Sequence, residues 1–350
     1  HQMVLMLREW YMSPKGQIPA YEWSFSDVNP PVQAWATYRI YQIDKEKTDQ
    51  PDLYFLKRVF NKLVINFTWW INRKDRYDNN IFEGGFLGLD NIGIFDRSQG
   101  LPGGGHLEQA DGTAWMALYS LNMLQMAIEI AQHDRSYEDM ATKFFEHFIY
   151  IAEALNSPKS DGSSLWDELD GFFFDLLVKP NNTMIPLKTR SLVGLMTINP
   201  VMVIPKEAIN SLPGFKGRLE WFRNYRLKRG KYIVIEDYNT DNDLLLSLVP
   251  KNRLLKIMNA LVDEDEFLSK YGIRSLSKVH KSPYNINIDG QTYSVRYDPA
   301  ESTSYMFGGN SNWRGPIWFP LNYMIVEALR EYHKYYGETI KIECPLKSKN

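Results

Sequence analysis

The run Gly308-Gly309-Asn310-Ser311-Asn312-Trp313-Arg314-Gly315-Pro316-Ile317-Trp318 leads two tryptophans and an arginine from a polar glycine loop into a helix start. Flat indole faces stack on sugar rings and a guanidinium fork donates to hydroxyls, so Trp313, Arg314 and Trp318 predict recognition of a polyhydroxylated ligand. A second group lies between Pro19 and Trp35, where Glu22, Trp23, Asp27, Asn29, Gln33 and Trp35 surround another helix start. These side chains suit hydroxyl binding; the competing reading is a helix capped by Asp27 or Asn29 with its aromatics buried. A third run, Glu83 to Ser98, sets Asp90 among glycines and large apolar residues. A carboxylic acid in apolar surroundings is destabilised in its charged form, so its pKa rises and it becomes a proton donor near neutral pH. Asp90 is therefore the candidate acid, whereas Asp96 and Arg97 read as structural ion pairs.

A fourth run, Gly103 to Trp115, brings Glu108, Gln109, Asp111 and Trp115 to the start of the longest helical pattern. Asp111 stands at an N-cap position, and the same placement would hold a carboxylate over a pocket. His106 has no His or Cys at ligand spacing, so zinc is not expected. The acidic, then apolar run Trp166 to Asp175 reads as a capped element entering the core, with lining of the site as a second reading. Asp75 to Glu83 resembles a shortened calcium loop in which Asp75, Asn79 and Glu83 offer side-chain oxygens and Ile81 a carbonyl. Tyr77 stands where an oxygen ligand belongs, and an ordinary polar turn fits the same residues. No other cofactor is expected.

Helices must position these loops. Apolar residues at three- and four-residue spacing predict helices over 1–11, 31–41, 53–72, 113–133, 136–155, 251–262 and 321–336. Ser136 reads as a cap with Glu138 and Asp139 in the following turn. Short strand-like runs at 232–235 and 291–295 fall in a more irregular segment at about 160–305. The fold class is mainly α, without a fixed-period repeat.

The composition, 44% hydrophobic and 23% charged over 350 residues, is that of a globular chain with a large core. A net charge of -2 gives no excess to meet phosphate backbones or anionic lipid, which argues against nucleic acid and membrane partners. Aromatics reach 14%, which favours a carbohydrate partner. The lone cysteine, Cys344, forms no internal disulfide, so a cytoplasmic location is expected. Asn-x-Thr triplets begin at Asn66 and Asn181, a pattern frequent by chance.

The order of Tyr21-Glu22-Trp23 through Asn29-Pro30-Pro31, then Gly88-Leu89-Asp90-Asn91, then Asp111-Gly112-Thr113-Ala114-Trp115, then Asn312-Trp313-Arg314-Gly315-Pro316-Ile317-Trp318 resembles glycoside hydrolase family 63. The likeness spans nearly the whole chain. That family includes processing α-glucosidase I and bacterial glucosidase-like and mannosylglycerate-hydrolase-like relatives. The resemblance implies an (α/α)6 barrel, here one catalytic domain over 1–350, and hydrolysis of an α-glycosidic bond with inversion. It implies that Asp90 is the general acid and that Asp111 and Trp115 hold substrate. In the family the general base is a glutamate beyond the Trp-Arg-Gly-Pro segment, and no matching segment occurs before Asn350. On this reading the barrel is incomplete at both ends, without the family's N-terminal β-rich domain and final helices. The ligand implied is an α-linked oligosaccharide or small glycoside. The alternatives are a carbohydrate-binding fragment without turnover and a trehalase-like hydrolase of the same toroid class.

Overall fold

A computed structural model of the chain describes residues 1–8, 10–21, 25, 28–48, 50–73, 80–82, 93–95, 97, 100–159, 162–228, 235–236, 243–299 and 316–346. The helices are α1 (Gln2–Met6), α2 (Gln33–Thr48), α3 (Leu53–Ile71), α4 (Ala110–Ala131), α5 (Glu138–Asn156), α6 (Leu192–Leu195), α7 (Lys206–Asn210), α8 (Pro213–Lys228), α9 (Lys251–Leu261) and α10 (Phe319–Tyr336). The strands are β1 (His106–Glu108), β2 (Trp166–Asp167), β3 (Phe172–Phe173), β4 (Asp175–Val178), β5 (Met184–Leu187), β6 (Val201–Ile204), β7 (Ile235–Glu236), β8 (Leu244–Ser247), β9 (Leu268–Ser269), β10 (Gly272–Ile273), β11 (Tyr284–Ile288) and β12 (Gln291–Val295). The chain is mainly α. Among the described residues no helix is long and apolar enough to cross a membrane.

One compact unit comprises His1–Asn80, Trp115–Ala154 and Met202–Ser247. Its helix α3 starts where the Asp52 side chain accepts the Phe55 N–H at 2.8 Å, which satisfies one of the orphan donors of the first turn. The helix then buries Leu56, Val59, Phe60, Leu63, Phe67 and Trp70 along one face. Phe67 meets the rings of Tyr119 and Phe144 edge-on at 5.1 and 4.9 Å. Asn66 enters this core because its polar atoms are paired: the Tyr119 hydroxyl donates to its Oδ1 at 2.9 Å and its Nδ2 donates to the Gly16 carbonyl at 2.7 Å. That burial leaves Asn66 no room for a glycan, whereas Asn181 lies in an exposed turn with its Oδ1 accepting the Thr183 N–H.

One local expectation needs correction, and one helix was not foreseen. Asp134, rather than Ser136, supplies the cap before α5: its Oδ1 accepts both the Ser136 N–H and the Ser136 hydroxyl ahead of a short 3-10 turn. Helix α8 was not legible from periodicity, because only Phe215, Leu219 and Phe222 of its described side chains are buried apolar anchors between many charged residues. Pro213 stands at its first position, where the missing N–H costs nothing.

The second unit comprises Ile81–Ala114, Leu155–Val201 and Leu248–Asn350. An antiparallel sheet in the order β1-β4-β5 aligns Glu108 with Leu176 and Leu177 with Ile185. The β2–β3 hairpin carries the acidic and apolar run of 166–175 into the core, with Phe172 and Phe173 fully buried. Strand β12 falls on the predicted 291–295, and β7 holds the end of the other predicted run, whose residues 232–234 lie outside the described residues. At α10, the Asn322 amide is tied to β10 in both directions, accepting from Ile273 N–H at 2.6 Å and donating to its carbonyl at 3.2 Å.

Candidate active site

The second unit buries a cation between two carboxylates. The Arg97 guanidinium donates to both oxygens of Asp111, at 2.7 and 2.9 Å, and to Asp175 Oδ2 at 2.6 Å. Asp111 lies in the first turn of α4, where a negative charge meets the positive end of the helix, and its Oδ1 also accepts the Gly112 N–H at 2.8 Å. Asp175 opens β4, and its Oδ1 accepts the Ala110 N–H at 2.8 Å, closing off the first amide of the same helix. Side-chain exposure is 2% for Arg97, 0% for Asp111 and 10% for Asp175. With every member ionised the cluster carries one charge too many for a balanced pair, and the imbalance falls on Asp175. Burial raises its carboxyl above the ordinary range; Arg97 opposes the rise, and the charge of Asp111 adds to it. For Arg97 burial alone would lower the pKa, but Asp111 and then Asp175 outweigh it and hold the guanidinium protonated.

Asp175 and Arg97 border a cavity of about 20 Å³ that also touches Thr189 and Ser191. Its size suits a water molecule and not a sugar ring. The Thr189 hydroxyl has no hydrogen-bond partner among the described residues. In the β1-β4-β5 sheet, Glu108 on β1 is fully buried; one of its oxygens pairs with the Lys159 ammonium and the other has no partner among the described residues.

The positions predicted from sequence divide as follows. Glu108 and Asp111 belong to the second unit, as does Trp318, which caps α10 and is 7% exposed. Both oxygens of Asp111 are engaged, so a sugar hydroxyl reaches that carboxylate only if one of these bonds opens. Gln33 and Trp115 are buried and Trp35 is half-buried, all in the first unit. The indole N–H of Trp115 has no acceptor among the described residues. Asp90, Glu22, Trp23, Asp27, Trp313 and Arg314 lie outside the described residues, as do Asp75, Asn79 and Glu83 of the calcium reading; Ile81 is buried. Among the described residues no group of three or more His, Cys, Asp or Glu side chains gathers around a metal position. Arg97 pairs, as its sequence context suggests. Asp175 was legible only as the end of an acidic and apolar run, although a carboxylate directly after three buried phenylalanines signals a partnered charge.

The model of the glycosyl hydrolase family 63 C-terminal domain matches residues 93–345. The chain belongs to glycosyl hydrolase family 63. An uncharacterized protein of Saccharomyces cerevisiae is 50% identical to this family 63 chain over 361 aligned residues, covering 99% of the chain and 33% of the relative. The chain thus spans about a third of the length of that relative. The mannosyl-oligosaccharide glucosidase of the same yeast is 29% identical over 106 residues, covering 29% of this chain and 10% of the enzyme. Among solved structures, a family 63 mannosylglycerate hydrolase from Thermus thermophilus, in complex with glucose, superposes with a TM-score of 0.50. It is 15% identical, with 95% of this chain and 74% of that one covered, a likeness of fold alone.

Proposed function

We propose that this family 63 chain is the acid-bearing part of an inverting α-glycoside hydrolase acting on an α-glucoside or a related glycoside, with Asp90 as general acid. The observation that carries the hydrolase reading is the family match over residues 93–345, while Asp90, which precedes that range, is assigned from its place among glycines and large apolar residues. The likeness to a mannosyl-oligosaccharide glucosidase favours an oligosaccharide substrate. Hydrolysis requires a proton on the departing oxygen, and a carboxylic acid among Gly88, Leu89, Ile92 and Ile94 is suited to keep one. Arg97 follows Asp90 by seven residues and is clamped by Asp111 and Asp175, which supports a fixed anchor for the segment that carries the acid. Asp111 acts here through Arg97, while Glu108, with one carboxylate oxygen unclaimed among the described residues, is suited to a sugar hydroxyl. Glu22, Trp23, Asp27, Trp35, Trp115, Trp313, Arg314 and Trp318 supply the remaining binding groups in this reading.

The (α/α)6 arrangement belongs to the same proposal, supported by the helical content and the likeness in fold to the Thermus hydrolase. So does a cytoplasmic location, supported by the single cysteine. Asp90→Asn in the full-length protein tests the reading: turnover of unactivated α-glucosides is expected to fall by about 10²- to 10⁴-fold while sugar binding persists. Unchanged hydrolysis removes Asp90 from the mechanism.

A further inference from the structure

The stretch from Leu187 to Val193 leads out of β5 into α6 with alternate residues put to different uses. Three alternate amides are zipped to a neighbouring segment: the Lys188 N–H donates to the Tyr284 hydroxyl at 3.2 Å, the Arg190 N–H to His280 Nε2 at 2.9 Å and the Leu192 N–H to the Ser275 carbonyl at 2.8 Å. The Arg190 carbonyl accepts the Ser277 N–H in return, at 2.9 Å. The side chains of Leu187, Thr189, Ser191 and Val193 follow the other alternation and border the cavity beside Asp175 and Arg97. With the zipped amides on one side and the Arg97 cluster on another, the cavity has little freedom to close.

Three oxygen-bearing side chains meet there. Asp175 accepts the Ala110 N–H on one oxygen and Arg97 on the other, and a carboxylate offers about four lone pairs in all. Ser191 Oγ accepts the Val193 N–H at 3.3 Å, so its own proton can donate. Thr189 is 7% exposed, and its buried hydroxyl has no hydrogen-bond partner among the described residues. A hydroxyl in that state costs free energy until a partner reaches it. Size and charge decide what fits: about 20 Å³ takes a single water-sized body, which needs roughly two to four polar neighbours. A cation meets the Arg97 guanidinium and an anion meets the Asp175 carboxyl, so a neutral molecule that both donates and accepts suits these walls. We propose that this cavity binds one ordered water joining the Thr189 hydroxyl to Asp175, and that Thr189 is thereby a positioning residue for Arg97 and the 93–95 stretch. Gly93, Ile94 and Phe95 border the same cavity, so the water couples them to the zipped 187–193 stretch. The consequence for turnover rests on the glycoside reading above, because these residues follow Asp90 in the chain; the water itself does not.

Diffraction from crystals of the full-length protein, with two variants at Thr189, is the test. Thr189→Val keeps the branched shape and removes the oxygen, whereas Thr189→Ser keeps the oxygen. The expected result is one density peak within hydrogen-bond distance of Thr189 Oγ1 and Asp175, retained in Thr189→Ser, with a lower thermal midpoint in Thr189→Val. On α-glucosides kcat is expected to fall about tenfold in Thr189→Val at unchanged KM and to stay near the parent value in Thr189→Ser. A dry cavity gives the opposite sign, since valine then relieves an unpartnered hydroxyl. An unchanged or raised midpoint in Thr189→Val therefore overturns the inference, and so does a cavity without a density peak. Parental kcat in Thr189→Val overturns the positioning role. If Asp90→Asn leaves hydrolysis untouched, the hydrolase reading falls while the peak and the lowered midpoint still support the water. Loss of hydrolysis in Asp90→Asn together with a raised midpoint in Thr189→Val does the reverse.

Discussion

Arg97 is the residue on which two buried carboxylates depend, and its removal leaves both without a counter-charge. Arg97→Met is expected to lower unfolding free energy by about 3–5 kcal/mol, the usual cost of breaking a buried ion pair from one side. Urea denaturation at neutral pH measures it, and a loss under 1 kcal/mol would show that the cluster is not desolvated as described. Asp175 behaves in the opposite sense. Its carboxyl is raised in the folded chain, first by burial, so the folded state holds that proton more tightly than the unfolded state. The stability tied to this proton is complete below the unfolded carboxylate value near ~3.9 and is lost as pH rises through the raised folded value. Asp175→Asn mimics the protonated form. Its urea midpoint relative to the parent should therefore be most favourable at pH 7 and drift downward as pH falls toward 4. A difference independent of pH would mean that Asp175 titrates as an ordinary aspartate.

Helix α6 is only four residues long, yet it packs tightly on β3 because Gly194 has no side chain. A Cβ at that position would overlap the Phe172 ring and the Phe173 carbonyl, and a backbone atom cannot swing aside. Gly194→Ala is expected to cost about 1–3 kcal/mol as overpacking, read from the thermal midpoint. A neutral result would indicate that β3 yields more easily than a buried strand should. The element matters for the site because β3 leads through Phe174 into β4, whose first residue is Asp175. At this scale sequence reading worked where a helix has one strongly apolar face, as in α3, α5 and α9. It failed at α8, where charged residues interrupt the pattern and three buried apolar anchors among the described side chains are too few to set a visible period.

Each compact unit is assembled from three separated stretches of chain, so no cut in the sequence isolates one of them. Helix α3 illustrates the consequence: Phe60 packs on Tyr137 and Phe144, and Phe67 on Tyr119 and Phe144. A fragment of residues 1–114 keeps α3 and loses all three of those partners. It is expected to give a shallow, non-cooperative thermal transition by circular dichroism, since helices of this length draw most of their stability from tertiary packing. A sharp melt would show that α1 to α3 suffice. What the sequence determined by itself was local: helical class, the longest helices, and the residue types suited to sugar chemistry, because apolar period and side-chain chemistry are written in consecutive residues. Tertiary structure alone chose the partners. Arg97 finds Asp111 across 14 residues and Asp175 across 78, because such meetings depend on which strands and loops the packed core brings side by side.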